Sequence, residues 1–255
     1  MNPESLTSAA LPVRHGFFTR RGGVSAGPFA SLNGSLSGGD DKAHVAANRA
    51  AVAACLGAAR LLGLTQVHGA EVVTVTAPWA DGAGPRADAM VTRERGLGLG
   101  VITADCTPVL LADADAGVIG AVHAGWRGAL AGVLEATVAA MRALGAERIV
   151  AAIGPCIRQP SYEVRADLRD AILARDPADA RFFAAASPGH WQFDLAGYCA
   201  ARLAPLVAPL VAPLVATVDV LDADTAADPE RFFSHRRRTL ENSGPIGHQI
   251  SAITL

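Results

Sequence analysis

The sequence predicts a globular chain with an α/β fold, and two observations carry that prediction. Between residues 97 and 153, apolar strand segments, glycine-containing turns and an alanine-rich helical segment follow one another, an order typical of α/β proteins. The 255 residues are 51% hydrophobic and 18% charged, so the chain can bury a sizeable core and is unlike a disordered protein. Because no stretch has the composition of a linker, we expect a single domain over residues 1–255.

The first third of the chain predicts a strand, a helix and a short β-region in that order. Residues 15–41 are rich in glycine and serine, so they predict a strand followed by a structured loop. A helix fits residues 43–56, because Gly57 follows in a position that favours a left-handed C-cap. Residues 64–75 alternate and contain β-branched side chains, which indicates one or two short strands interrupted near His68.

The centre of the chain has the clearest pattern. Apolar segments of strand length are separated by turns, and one longer segment has the apolar period and alanine content of a helix. The predicted strands occupy residues 97–103, 108–112, 118–122 and 148–153, and the predicted helix occupies residues 129–144. Two further helices are predicted over residues 165–175 and 194–203, with a short strand at the end of residues 244–255.

The most apolar stretch, residues 203–221, is not predicted to cross a membrane. Pro205, Pro209 and Pro213 recur there in an APLV repeat, and each proline removes a helix hydrogen bond. The pattern instead predicts the end of a helix, a short proline-rich expansion and a buried strand over residues 216–221.

Charge and cysteine content argue against several classes of protein. Lys and Arg number 22 against 24 Asp and Glu, a net charge of −2, so nucleic acid and anionic membranes are not expected partners. The four cysteines, Cys55, Cys106, Cys156 and Cys199, form no CxxC pair and so indicate neither a disulfide framework nor a zinc finger. Because the N-terminus lacks the order of a secretory signal, a cytoplasmic location is expected.

Three short motifs place possible metal ligands directly after predicted strands. These are QVHG with His68, ADCTP with Cys106 and VHAGWRG with His123. Active-site side chains of α/β proteins gather at strand ends, and two imidazoles with one thiolate suit a zinc site whose fourth position is open. Spacing alone leaves other interpretations open: Cys106 can be a buried core residue, or a nucleophile with His123 as its base.

Longer motifs resemble a known family. HGFFTRRGGVS, SLN, TQVHG, ADAMVT, ADCTPVLLAD, VHAGWRG, IGPCI, YEV and FFSHRR occur, from residue 15 to residue 237, in the order found in the YfiH family, also called the multicopper polyphenol oxidase or laccase-domain family. The resemblance implies a monomer with a layered α/β/β/α sandwich of mixed sheets. It also implies one zinc ion per chain, held at the positions of His68, Cys106 and His123. The chain departs from the family pattern in its tail, where SHRRRTLENSGPIGHQ lacks the usual acidic residue and TGR.

The activity that the resemblance implies is phosphorolysis of adenosine, inosine, guanosine and methylthioadenosine, with adenosine deamination at the same site. Purine nucleosides and inorganic phosphate are then the expected partners. Three other functions stay open. A copper-dependent polyphenol oxidase ranks below the zinc enzyme, because it needs several copper centres and the chain has seven histidines. A cysteine hydrolase that edits peptidoglycan precursors is the main alternative, and a non-catalytic binding protein is the third.

Five further residues are candidates for substrate contact or proton transfer. Arg20, in TRRGG, is the best candidate for a phosphate or ribose contact, because a guanidinium binds oxyanions through two parallel hydrogen bonds. Arg127 either orients substrate or pairs with Asp105 to brace its turn. Asp105 is expected either to support a ligand histidine or to carry a proton. Asn33 and Gln66 either hydrogen-bond the substrate or hold loops.

The basic segment after FFS allows two interpretations. His235, Arg236 and Arg237 form either a local anion site or, more usually, a solvated basic turn. Tyr162 is expected to pack in the wall of the pocket, and Cys156 to be a packed thiol rather than a fourth metal ligand.

Overall fold

The computed structural model describes residues 2–207 and 215–255 and confirms the α/β fold that the sequence predicts. Its strands are β1 (Ser5–Leu6), β2 (Arg14–Phe18), β3 (Arg60–Leu62), β4 (Val72–Val75), β5 (Ala89–Thr92), β6 (Leu97–Thr103), β7 (Thr107–Asp113), β8 (Val118–Ala124), β9 (Ile149–Ile153), β10 (Glu163–Arg165), β11 (Phe183–Ala185), β12 (His190–Phe193), β13 (Val215–Val220) and β14 (Gln249–Thr254). Its helices are α1 (Lys42–Leu56), α2 (Trp126–Ala131), α3 (Val133–Ala143), α4 (Ala166–Arg175), α5 (Leu195–Leu203) and α6 (His235–Glu241).

The strands form two large mixed sheets and one small antiparallel sheet. The first large sheet has the order β1-β2-β14-β6-β3 and is antiparallel except for its β6–β3 pair. The second has the order β13-β9-β7-β8-β5-β4, with a parallel pair at each edge. The small sheet has the order β10-β12-β11. Antiparallel pairing at the centre brings the ends of β7 and β8 side by side.

The two large sheets pack face to face, and helices cover their outer faces. Leu99 and Val101 of β6 share one buried cluster with Leu110 of β7 and Ile119 of β8, so this cluster lies between the sheets. A second cluster joins the other face of the β7 sheet to α3 and α5, and a third joins the β6 sheet to α1. The α/β/β/α sandwich is therefore confirmed.

Strand β7 shows why the central strands have apolar residues at consecutive positions. All seven of its residues are buried. Val109 and Leu111 belong to the cluster on the helix side, whereas Leu110 and Ala112 belong to the cluster between the sheets. Because successive side chains point to opposite faces and both faces are covered, the strand is apolar throughout instead of alternating.

The prediction of one helix over residues 129–144 is wrong. The structure has two helices, α2 and α3, separated by Gly132, whose φ of 96° lies in the left-handed region. Glycine adopts this conformation at little cost because it has no Cβ. Since α2 begins at Trp126, the HAGWRG segment contains a helix start and not only a turn. The basic segment at His235, expected as a turn, likewise opens a helix, α6.

The proline-rich stretch lies only partly within the described residues. Pro209 and Pro213 of the APLV repeat fall outside them. The strand expected over residues 216–221 is present as β13, but it lies at a sheet edge and its Val220 is exposed, so the expectation of a buried strand is wrong. Among the described residues, no helix is both long enough and apolar enough to span a membrane.

Candidate metal centre

The three predicted ligands lie together at one end of the two large sheets. The donor atoms of His68, Cys106 and His123 are all within 4.8 Å of one another. Cys106 Sγ is 3.9 Å from His68 Nε2. The two imidazole rings meet edge to face, with their centroids 4.7 Å apart. The structure thus brings together three residues that are far apart in the chain.

Strand ends account for this convergence. Cys106 lies in the short turn through which the chain leaves β6 in one sheet and enters β7 in the other. His123, near the end of β8, pairs with Pro108 of β7, so it lies next to the start of that strand. His68 reaches the same place from the segment between β3 and β4. The centre therefore lies where the two sheets are joined.

Two non-glycine residues of the site have an unusual backbone conformation. His68 has φ of 60° and Asp105 has φ of 102°, both in the left-handed region. Residues other than glycine adopt this region rarely, and such conformations persist where surrounding contacts hold them, commonly at functional sites. One residue is a candidate ligand and the other precedes one.

Asp88 orients the imidazole of His123 and holds the backbone at His68, and sequence reasoning missed it. The carboxyl group is fully buried immediately before β5. Oδ1 accepts hydrogen bonds from His123 Nδ1 at 2.8 Å and from the His68 amide at 2.9 Å. Oδ2 accepts from the Gly69 amide at 2.7 Å and from the Val67 amide at 3.2 Å. Because Nδ1 of His123 is used in this way, its Nε2 is left for a metal. The available signal was an aspartate at the start of an apolar strand, in ADAMVT.

The ionisation of Cys106 and that of His123 are coupled. Burial alone would raise the pKa of the Cys106 thiol, but the charge of His123 and hydrogen bonds from both histidines bring this pKa below its ordinary value. Burial alone would lower the pKa of His123, but Cys106 and Asp88 raise it above its ordinary value. The centre therefore stabilises a thiolate, the form in which cysteine binds metals or acts as a nucleophile.

The donor set fits a transition-metal cation such as zinc. Zinc bonds of about 2.0–2.3 Å to nitrogen and sulfur place tetrahedral donors roughly 3–4 Å apart, close to the separation of Cys106 Sγ and His68 Nε2. Three protein ligands leave a fourth position open for substrate or water. Space beside the donors is preserved by Gly125, where a Cβ would lie 3.0 Å from Cys106 Sγ and 3.1 Å from His68 Cδ2.

Gly125→Ala is expected to lower metal affinity by about 10-fold, because the added methyl group must displace a ligand side chain. Competition with a chromogenic chelator measures the affinity. Gly69→Ala is a matched control, because a Cβ there would meet its nearest atoms at an ordinary 3.7 Å. Equal metal affinity in the Gly125→Ala variant and the wild type would contradict the prediction.

The centre opens into a cavity of about 840 Å³. His68, Cys106 and His123 line it, and so do Asp105 and Gln66, two of the other predicted site residues. Gln66 uses both ends of its amide on the backbone of Ile102 in β6, with two hydrogen bonds of 2.8 Å. Asp105 accepts hydrogen bonds from Thr225, Ser234 and the Arg236 amide.

The structure places Arg20 and Asn33 away from this cavity lining. Arg20 Nε donates to the Ala30 carbonyl at 2.7 Å, Nη1 donates to the Pro229 carbonyl at 3.1 Å, and the guanidinium stacks on Phe233. Asn33 is fully buried. Its side chain joins Asp40 to the amides of Ser35 and His248. Both residues thus hold the loops around β2 and β14.

The expected pairing of Arg127 with Asp105 is wrong. The Arg127 guanidinium lies over the ring of its neighbour Trp126, at 4.4 Å from the centroid. Asp105 is bonded instead to the chain segment that contains Thr225 and Ser234. Those partners are more than 100 residues away in the sequence, so the turn motif gave no indication of them.

Comparison with known proteins identifies the family. The family model described as "Multi-copper polyphenol oxidoreductase laccase" matches residues 14–255. The chain belongs to this family. A relative from Streptomyces coelicolor, named purine nucleoside phosphorylase, is 52% identical over 167 residues, which are 64% of this chain and 69% of that protein.

Solved structures of the laccase-domain family have the same fold. A Neisseria meningitidis protein of family DUF152 matches with a TM-score of 0.86 and 33% identity, over 100% of this chain and 99% of its own. The Bacillus licheniformis hypothetical protein YfiH matches with a TM-score of 0.83 and 29% identity, over 94% of this chain and 92% of its own. The resemblance to the YfiH family is therefore confirmed.

Proposed function

We propose that this laccase-domain protein is a zinc-dependent purine nucleoside phosphorylase. The observation that carries the proposal is the open centre of His68, Cys106 and His123 at the wall of a cavity of about 840 Å³. A cavity of this size is in the range of small-molecule sites and has room for a nucleoside together with phosphate. The name of the Streptomyces coelicolor relative supports the same activity.

Zinc is the metal that we propose. When bound, zinc would act as a Lewis acid that polarises an oxygen atom of the substrate or of water. Two imidazoles and a thiolate, with Asp88 fixing the tautomer of His123, are a donor set typical of catalytic zinc. Copper chemistry of the laccase type requires several metal centres, whereas the described residues contain a single such group of three donors.

The reaction is phosphorolysis of adenosine, inosine, guanosine or methylthioadenosine. A phosphate oxygen forms a bond to C1′ of the ribose while the bond from C1′ to the purine nitrogen breaks, and the purine takes up a proton as it leaves. Apolar side chains of the cavity, including Ile102, Ile157 and Leu195, provide surface for the flat base. Adenosine deamination at the same site exchanges the amino group at C6 for a water oxygen and releases ammonia. We place the enzyme in the cytoplasm as a monomer.

One observation favours a second candidate, the cysteine hydrolase that edits peptidoglycan precursors. The Cys106 thiol has a pKa below its ordinary value, because the charge of His123 and hydrogen bonds from both histidines outweigh burial. A thiolate beside an imidazole is also the arrangement of a metal-free nucleophile and its base. Metal content and substrate separate the two candidates.

Cys106→Ala is expected to lose bound zinc and purine release together. Elemental analysis of the purified wild type should find about one zinc per chain, and the same samples should release hypoxanthine from inosine only when phosphate is present. Cys55→Ala, which removes an exposed thiol, is the matched control and should keep both properties. A metal-free wild type that releases no purine would refute the proposal and favour the cysteine hydrolase.

A further inference from the structure

The fold uses only part of the hydrogen-bonding capacity of Arg236. This residue lines the cavity together with Cys106 and Tyr162. Its backbone amide donates to Asp105 Oδ2 at 2.6 Å, and its Nη2 donates to the Glu163 carbonyl at 2.7 Å. Within the described part of the chain, Nε and Nη1 make no further hydrogen bond. The N–H of Nε, both N–H groups of Nη1 and the second N–H of Nη2 are therefore available to a ligand.

The neighbouring Arg237 shows the contrast with an arginine that serves the fold. Its Nη1 donates to the carbonyls of Thr225 and Ala226, both at 3.0 Å, and its Nη2 donates to the Phe232 carbonyl at 2.6 Å. The Arg236 guanidinium makes one such bond, and no carboxylate lies at ion-pair distance from it among residues 2–207 and 215–255. A cation that faces a cavity without a carboxylate partner attracts anions.

Tyr162 and His235, two further residues with hydrogen-bond donors, also line the cavity. The Tyr162 ring centroid is 5.4 Å from the Arg236 guanidinium carbon, and both residues line the cavity. His235 Nδ1 lies 3.3 Å from Nη2 of Arg238. Because arginine can only donate, His235 Nδ1 accepts and the ring proton is on Nε2. A guanidinium, a phenol and an imidazole therefore line the cavity that also contains the metal centre.

We propose that Arg236, Tyr162 and His235 form the subsite that binds the phosphate co-substrate. This assignment rests on the proposed phosphorylase function and moves the phosphate contact from Arg20, whose donors serve backbone carbonyls, to Arg236. The planar guanidinium holds two phosphate oxygens and leaves another to attack C1′. That oxygen forms the new bond to C1′ as the purine departs with the electron pair of the broken bond and takes up a proton.

The test compares Arg236→Gln with Arg165→Gln, each of which removes one positive charge. Arg165 is an exposed residue of β10, close to Glu163 in the chain. Zinc-loaded proteins of verified metal content are titrated calorimetrically with inorganic phosphate at constant ionic strength, and KM for phosphate is measured at saturating inosine. We expect Arg236→Gln to lower the affinity for phosphate and to raise KM for phosphate, each by about 10- to 100-fold. KM for inosine should not change, and Arg165→Gln should match the wild type.

Two conservative variants sharpen this result. Arg236→Lys keeps the charge but loses the planar fork, so its phosphate affinity should lie between those of the wild type and Arg236→Gln. Tyr162→Phe should raise KM for phosphate by about 5- to 10-fold, because it removes a single neutral donor. If Arg236→Lys and Arg236→Gln both bind phosphate like the wild type, the subsite is overturned.

The same chemistry could serve the 5′-phosphate of a nucleotide, and titration with AMP and adenosine separates the two sources. Weaker AMP binding by Arg236→Gln, with binding of inorganic phosphate unchanged, overturns our assignment. A wild type that binds phosphate through Arg236 but releases no purine refutes the phosphorylase and retains the subsite. If the wild type is an active phosphorylase but Arg236→Gln leaves KM for phosphate unchanged, only the subsite is overturned. A wild type that binds phosphate in neither the calorimetric nor the kinetic assay also overturns the subsite.

Discussion

Asp88→Asn should remove most of the metal affinity and destabilise the fold. The carboxylate accepts from one imidazole N–H and from three backbone N–H groups, those of Val67, His68 and Gly69. Asparagine offers one carbonyl oxygen and one NH₂ group, so in either orientation its NH₂ faces a backbone N–H. We expect metal affinity to fall by about 10- to 100-fold and the free energy of unfolding to fall by about 2–4 kcal/mol.

A second buried aspartate separates the two effects. Asp113 accepts from the amides of Ala116, Glu147 and Arg148, and it does not belong to the metal centre. Asp113→Asn should therefore lower stability by a similar amount and leave metal affinity unchanged. Chelator competition measures affinity, and urea unfolding of the metal-free proteins measures stability. If Asp88→Asn binds metal as tightly as Asp113→Asn does, Asp88 does not support the ligands.

The ligands could be predicted from the sequence, whereas their support could not. His68, Cys106 and His123 each stand in a short motif after a strand, and strand ends of α/β proteins converge. Asp88 is 20 residues from His68 and 35 residues from His123 in the sequence. Its contact with His123 depends on the pairing of β5 with β8. Periodicity identifies strands, but it does not say which strands are neighbours.

Arg20 shows the limit of reasoning from residue type. A guanidinium in a glycine-rich loop can bind an oxyanion, which made Arg20 the first candidate for a phosphate contact. In the folded chain one of its donors bonds the Pro229 carbonyl, 209 residues away in sequence. The sequence allows Arg236 to be part of a local anion site or of a solvated basic turn, and it is the arginine that lines the cavity. Which arginine keeps its donors free is decided by tertiary contacts.

Asp105→Ala is expected to be strongly destabilising. Oδ1 of Asp105 accepts from the Thr225 hydroxyl at 2.7 Å, and Oδ2 accepts from the Ser234 hydroxyl at 3.0 Å and the Arg236 amide at 2.6 Å. Thr225 and Ser234 are buried, so alanine leaves their donors without an acceptor. We expect the free energy of unfolding to fall by about 3–5 kcal/mol. Phosphate binding should also weaken, because the Arg236 amide loses the acceptor that holds it in place. Urea unfolding and phosphate titration measure the two effects.

Asp105→Asn should lower stability much less than Asp105→Ala does. The asparagine variant therefore separates a positioning role of Asp105 from proton transfer. The Thr225 hydroxyl can rotate to accept from the new NH₂ group, while the remaining carbonyl oxygen keeps Ser234 and the Arg236 amide. The backbone N–H groups that bond to Asp88 can only donate, so the same Asp→Asn change is severe at position 88. We expect Asp105→Asn to lose about 1 kcal/mol or less of stability and to keep most of its kcat. Since asparagine cannot carry a proton, a folded Asp105→Asn variant without turnover would instead make Asp105 a proton carrier.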